Sequence, residues 1–200
     1  MQPNVLGYNE STRIGKPQMN PDLETPRLIL REECLEDAER LFSYRQRPAY
    51  WQHIPCHPPT RDDIVAQIAH FLPQQSAHDR TMFFWVAIEK ATCLVTGEAS
   101  LWLLPDHGAE FAFAVDDRHW RKGYGSEIVR GILRFGFHSL RLHRLCAQVV
   151  PSNIASIALL RSLGMVEEGV LRERRRARGR WFDLAQFSML EQEYARGASE

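Results

Sequence analysis

Apolar positions recur at two spacings along the chain, and the switches between them mark the elements. Leu28, Ile29 and Leu30 open the ordered part as a short strand. Over 37–47, Ala38, Leu41 and Phe42 fall on one helical face. Residues 51–59 carry Pro55, Pro58 and Pro59 and read as loop. Thr60 then stands as an N-cap with Asp63 three residues on, and Ile64, Ile68 and Phe71 give the following helix its apolar stripe. The middle of the chain reads as strands over 83–88, 94–104 (with Gly97 as a bulge) and 110–115, with a turn at 105–108 between the last two. A helix is expected over about 125–138, with Ile128, Val129, Ile132, Leu133 and Phe137 inward. A strand over 145–150 and a helix over 153–163, stopped by Gly164, follow. Two strands, 165–171 and 181–190, enclose a turn at 178–180. No internal repeat or low-complexity segment interrupts this order.

The chain has 200 residues, 44% of them apolar, and 25 basic and 25 acidic side chains that leave a formal net charge of zero. One domain over 23–200 is expected, behind an extended polar arm over 1–22 that holds Pro3, Pro17 and Pro21. The composition excludes a disordered chain and a disulfide scaffold. Zero net charge argues against a general polyanion binder, and no direct nucleic-acid role is expected. Cys34, Cys56, Cys93 and Cys146 share no CxxC spacing, and Cys34, Cys93 and Cys146 sit among apolar residues as expected packing thiols. Without a secretory leader or a long apolar run, the expectation is a cytoplasmic protein with no membrane role.

Residues 115–127 read as a strand, a basic glycine-containing loop and a helix. Successive amides of such a loop, with a helix N-terminus behind them, attract an anion. Gly123 and Gly125 permit close approach, and Arg118, Arg121 and Lys122 add positive charge, so a phosphate or pyrophosphate is indicated. An ordinary strand–helix turn can hold the same two glycines. The loop is not a P-loop, since GxxxxGK followed by Ser or Thr is missing, and the third glycine of a dinucleotide fingerprint would fall on Ile128. A pyrophosphate carrier held by a shorter loop is left.

Trp120-Arg121-Lys122-Gly123-Tyr124-Gly125-Ser126-Glu127 resembles the acetyl-CoA loop of the GNAT superfamily of N-acetyltransferases. Trp120 stands where that loop usually has Gln or Arg, a departure shared by the branch of Rim-type ribosomal-protein N-terminal acetyltransferases. Arg27-Leu28-Ile29-Leu30-Arg31 is similar to the first strand of that branch, and Glu110 precedes Trp120 by ten residues as in its acidic fourth strand. Asn153-Ile154-Ala155-Ser156, Leu159-Leu160 and Leu163-Gly164-Met165 resemble its second CoA motif. Glu168-Gly169-Val170-Leu171-Arg172 and Asp183 continue the likeness, which spans about 24–191.

The resemblance implies an α/β (α+β) fold: a mixed, mostly antiparallel twisted sheet of about seven strands flanked by helices. Its central strands, 110–115 and 145–150 here, would splay to admit the pantetheine arm of acetyl-CoA. It implies that Arg121, Lys122, Gly123, Tyr124, Gly125 and Ser126 hold the pyrophosphate. Backbone groups near 112–115, Ala114 and Val115 among them, would pair with pantetheine and bind the oxyanion that forms on attack. Asn153 would bond the pantetheine arm. Glu110, flanked by Ala109 and Phe111, is the candidate base, with partial burial raising its pKa; a carboxylate that only orients the amine is the other reading. The Tyr that many of these enzymes use as an acid is replaced by Leu160, and Ser156 is the candidate substitute, unless it only packs.

His53-Ile54-Pro55-Cys56-His57 offers three metal-ligand types but no fourth, so no metal is expected. Trp51 and His53 are candidate acceptor-site residues instead. His119 and His143 read as ordinary residues, and Arg144 and Arg161 as structural ones. The run 171–180 holds six arginines and reads either as a solvated hairpin or as a patch for an acidic protein tail or ribosomal RNA. The expected reaction is acetyl transfer from acetyl-CoA to a primary amine in a ternary complex, the acceptor being a protein N-terminus such as that of a ribosomal protein. A small amine (an amino acid, polyamine or antibiotic) and a non-catalytic acyl-CoA-binding module are the alternatives. A monomer and a homodimer are both compatible with the sequence.

Overall fold

The computed structural model describes residues 22–77 and 79–197, so the arm expected over 1–22 lies almost wholly outside the described residues. The chain runs β1 (Leu23–Glu24), β2 (Leu28–Glu32), α1 (Ala38–Arg45), α2 (Pro48–Trp51), α3 (Arg61–Phe71), β3 (Met82–Glu89), β4 (Val95–Leu104) and β5 (Gly108–Val115). It continues through α4 (Tyr124–Arg134), β6 (Arg144–Val149), α5 (Ile154–Ser162), β7 (Val166–Ala177), β8 (Arg180–Leu190) and α6 (Glu191–Gly197). The strands form one sheet in the order β1-β2-β3-β4-β5-β6-β8-β7. Every neighbouring pair is antiparallel except β5–β6, which is parallel. The sheet thus has eight strands where about seven were expected; β1 is two residues long and carries no periodic signal.

The helix expected over 37–47 ends at Arg45, ahead of Pro48. The residue before a proline is held out of the helical region, and Arg47 is extended at φ −77°, ψ 134°. Trp51 consequently ends a short helix rather than opening the loop. The Thr60 cap forms as read: Thr60 Oγ1 accepts the Asp63 N–H at 3.1 Å, and the Asp63 carboxylate accepts the Thr60 N–H at 2.8 Å. The β4 irregularity falls at Thr96, not Gly97: Ala87 pairs with Gly97 and Ile88 with Val95, leaving Thr96 as the extra residue. Cys93 is exposed in the β3–β4 turn, so it is not a packing thiol, whereas Cys146 is buried. Beyond Arg134 the helical path widens into a π-helical turn over Phe135–Ser139.

Ile128, Val129, Ile132 and Leu133 of α4 are buried against the sheet and form the main core with Leu28, Leu30, Phe83, Trp85, Leu101 and Phe111. Each such side chain contributes roughly 1.5–3 kcal/mol by leaving water. Ala38, Leu41, Tyr44, Ile64 and Ile68 make a second cluster on the opposite face, with Val86 and Val95. No helix among the described residues is long and apolar enough to cross a membrane.

Candidate active site

β5 and β6 are paired only at Gly108–Arg144, Ala109–Leu145 and Glu110–Cys146. Past Glu110, β5 stays with β4 through Val115, while β6 stays with β8 through Val149. The two strands therefore fork at Glu110. Alternation along β5 turns Ala109, Phe111, Phe113 and Val115 to the core, while Glu110, Ala112 and Ala114 share the other face. The two alanines leave room there. A cleft of about 570 Å³ opens at the fork, lined by Glu110, Ala114, Asn153, Ser156, Trp51 and His53 among others. Six of the residues singled out in the sequence thus meet in one cavity.

The Glu110 carboxylate accepts no hydrogen bond among the described residues. Burial pushes its pKa above the usual carboxylate value, and Arg175 and Arg174 pull it partly back. Ser156 lies in the first turn of α5, and its N–H donates to Asn153 Oδ1 at 3.2 Å. Asn153 is therefore the cap of α5, and its amide N–H groups are left to meet a ligand.

At the far end of β5, Arg121 and Gly123 both have left-handed φ, of 61° and 81°. Alternating backbone of this kind makes a concave nest of amides. Among the described residues no backbone hydrogen bond is donated by Arg121 through Ser126, and α4 starts directly behind them. The Arg121 and Lys122 side chains are exposed and form no ion pair among the described residues. Arg118 differs from its expected role: it is bound to the buried Asp116, with Nη2–Oδ2 at 2.5 Å. Trp120 is half exposed, with its indole N–H tied to the Val115 carbonyl at 2.8 Å.

Sequence reasoning missed what holds this loop in place. Glu127 accepts from Thr25 Oγ1 at 2.7 Å and from the Arg27 backbone N–H at 2.6 Å, and its other oxygen pairs with the Arg27 guanidinium at 2.8 Å. Arg27 in turn donates to the Lys122 carbonyl at 2.9 Å and lies over the Tyr124 ring. Burial works against the Glu127 carboxylate, but these bonds outweigh it and lower its pKa. Some 100 residues separate the partners, so no local pattern could have paired them.

The cleft floor holds two further carboxylates. Glu98 accepts from Tyr44 and Tyr50 hydroxyls and pairs with Arg45 at 2.6 Å. Glu33 is buried 3.8 Å from the same Arg45, and burial together with Glu98 pushes its pKa to about 7. The mouth is walled by residues 52–57 and the β7–β8 hairpin, whose Arg178 donates to the Trp51 and Ile54 carbonyls, each at 3.0 Å. His53 Nδ1 lies 3.3 Å from Ser152 Oγ, and burial lowers its pKa. No group of three or more possible metal ligands occurs among the described residues. Arg144 and Arg161 pair with Glu168 and Glu167 at 2.5 Å each, as structural residues.

The family model described as an acetyltransferase (GNAT) domain matches residues 27–166. An uncharacterised N-acetyltransferase, p20, of Bacillus licheniformis is 34% identical over 175 residues, covering 86% of this chain and 98% of that protein. Among solved structures, a ribosomal-protein-S5-alanine acetyltransferase from Vibrio fischeri superposes with a TM-score of 0.75 at 21% identity, over 86% of this chain and 98% of that one. A spermidine N-acetyltransferase from Vibrio cholerae, in complex with CoA and spermine, gives 0.74 at 22% identity, over 84% and 98%. At such identities the two structures show a shared fold.

Proposed function

The chain belongs to the GNAT acetyltransferase family and is an acetyl-CoA-dependent N-acetyltransferase; we propose that its acceptor is the N-terminal amine of a protein or peptide, attacking the thioester directly. The observation that carries the site assignment is the position of Glu110, a desolvated carboxylate at the fork of β5 and β6, inside the cleft that also holds Ser156. An attacking amine must be neutral, and Glu110 takes its proton directly or through water. Amides of the nest Arg121–Ser126 bind the pyrophosphate, with Arg121 and Lys122 adding charge. The edge of β5 at Ala114 and Val115, unpaired by β6, bonds the pantetheine arm and presents an N–H to the developing oxyanion. Asn153 donates its amide to the same arm, and Ser156 supplies the proton for the leaving thiolate. Trp51 and His53 border the acceptor.

An N-terminal acceptor is favoured by the mouth of the cleft, where His57 and Arg175 are exposed at the rim and leave room for a chain to continue outward. The likeness in fold to a ribosomal-protein acetyltransferase is in keeping with it. The test is free-thiol release from acetyl-CoA with peptides bearing free Ala, Ser, Met or Asp N-termini, alongside polyamines, amino acids and aminoglycosides. Turnover confined to peptides, with the acetyl group located on the α-amine by mass spectrometry, is expected. Turnover confined to small amines would overturn the acceptor, and CoA binding without any turnover would turn the reading toward a non-catalytic module.

A further inference from the structure

The arginines of 172–180 divide into one that builds and several that have no anion. Arg178 ties the hairpin to residues 51 and 54 and lies over the Phe182 ring. Beneath it Val150, Ala177, Phe182 and Leu184 form their own apolar cluster. The hairpin is thereby a fixed wall of the cleft. Arg175 lines that wall, with Nη1 3.7 Å from Cys56 Sγ, and both Arg174 and Arg175 act on Glu110 through space. Arg172, Arg174, Arg175, Arg176 and Arg180 form no ion pair among the described residues, although carboxylates engage most other arginines of the fold.

Glu110, which faces Arg175 and Arg174, offsets at most one of these charges, and the carboxylates on the floor offset none. Glu98 is already bound by Arg45 and two tyrosine hydroxyls, and Glu33 shares the same guanidinium. Nearby on the hairpin stand only Glu173 and Asp183, and the Asp183 carboxylate accepts the Glu173 N–H at 2.7 Å. The uncompensated charge at the mouth is therefore positive, in a chain whose net charge is zero. Building on the reading of an N-terminal acceptor, we propose that this hairpin recognises acidic residues just downstream of the acetylated amine, so that the acceptor is a chain whose N-terminus is followed by Asp or Glu. With its amine at Glu110, an extended chain advancing about 3.3 Å per residue runs outward past Arg175 and Arg174.

The experiment compares three peptide series with one common N-terminal residue, followed by acidic, neutral amide or lysine residues, by kcat/KM from thiol release. The acidic series is expected to exceed the neutral one by about tenfold at low salt, as several exposed charge contacts would give. The lysine series should fall below both, and the ranking should flatten as salt screens it. Arg174→Gln combined with Arg176→Gln should bring the acidic-to-neutral ratio toward one, with acetyl-CoA affinity by calorimetry confirming that the variant folds. Should it not fold, the salt dependence of the ratio in the unaltered protein decides. Equal kcat/KM for the three series, or a preference for lysine, overturns the proposal. So does tight binding of an RNA oligonucleotide at the hairpin with no gain for acidic peptides, which would assign the patch to nucleic acid. Turnover of small amines with no peptide acetylated at all is a different result: it removes the N-terminal acceptor itself, and this proposal with it.

Discussion

Glu110 is a single side chain on which the chemistry can be tested. Removing a positioned base typically costs about 10²–10⁴ in rate, so Glu110→Gln should lower kcat by that much while acetyl-CoA affinity by calorimetry stays unchanged. Two groups titrate on the acid side of the profile: the amine, near pH 8, and Glu110. A base acts deprotonated, so the lower limb falls as pH drops through a Glu110 pKa that burial has raised. Arg175 opposes that rise, and Arg175→Met should therefore move the lower limb to higher pH. The amine's limb remains in Glu110→Gln; a second limb that also remained would belong to another group, and Glu110 would be left as an orienting carboxylate. Ser156→Ala should lower kcat by about 10², because the departing thiolate loses its proton donor. An unaltered kcat would make Ser156 a packing residue. At this scale spacing pointed to Gly123, which has left-handed backbone in the loop, while the resemblance pointed to Glu110 and Asn153, which line one cleft. The sequence was silent on Glu33, just past the end of β2, and on Glu98, inside β4; the fold brings Arg45 between them.

Among the elements, the β5–α4 junction depends on a fastening that is remote in sequence. Glu127 joins α4 to the β1–β2 turn through Arg27, and Arg27 reaches on to the Lys122 carbonyl. Breaking a fully buried pair from one side costs about 3–5 kcal/mol, and with Arg27 half exposed Glu127→Ala should lose about 1–3 kcal/mol in urea unfolding. The same variant should raise the KM for acetyl-CoA, because the nest loses its anchor. Glu127 has a depressed pKa in the folded protein, so its contribution is present above the unfolded carboxylate value and disappears as pH falls through the folded one. A KM that stays put while stability drops would separate the fastening from the loop. The hydrophobic pattern located α4 because it turns one continuous apolar face to the core, and β3 because both of its faces are apolar and enter the two clusters. It missed what lacks such a face: β1 is two residues long, and the helix Pro48–Trp51 is a single turn. β7 is exposed along nearly its whole length and is a strand through pairing with β8, which extends it to Ala177, well past the expected end at 171.

For the whole molecule, the sheet's division into two halves is what makes a binding site. β1 to β5 form one paired unit and β6, β8 and β7 another, joined by three residue pairs at the base of the fork. That split follows from strand pairing on the outer sides, and no residue in β5 or β6 announces it; the resemblance of three ordered motifs supplied it instead. Past Glu110 the edge of β5 has no strand on its β6 side, and Arg121 through Ser126 donate no backbone hydrogen bond among the described residues, so a ligand that bonds these groups and also Asn153, which follows β6, should hold the halves together. Anything that binds only the folded state stabilises it by RT ln(1 + [L]/Kd), about 2.7 kcal/mol at a hundredfold excess over Kd. For a chain of this size each kcal/mol shifts Tm by about 2–4 °C, so saturating CoA should raise Tm by about 5–11 °C. Amide exchange should slow selectively over 112–115 and 121–126 on binding, with the β3–β4 pair little changed. The fork predicts both effects together. Stabilisation with protection confined to the nest would mean that the pyrophosphate is held while the pantetheine arm lies outside the fork, and Glu110 would then be too far from the thioester to serve as its base.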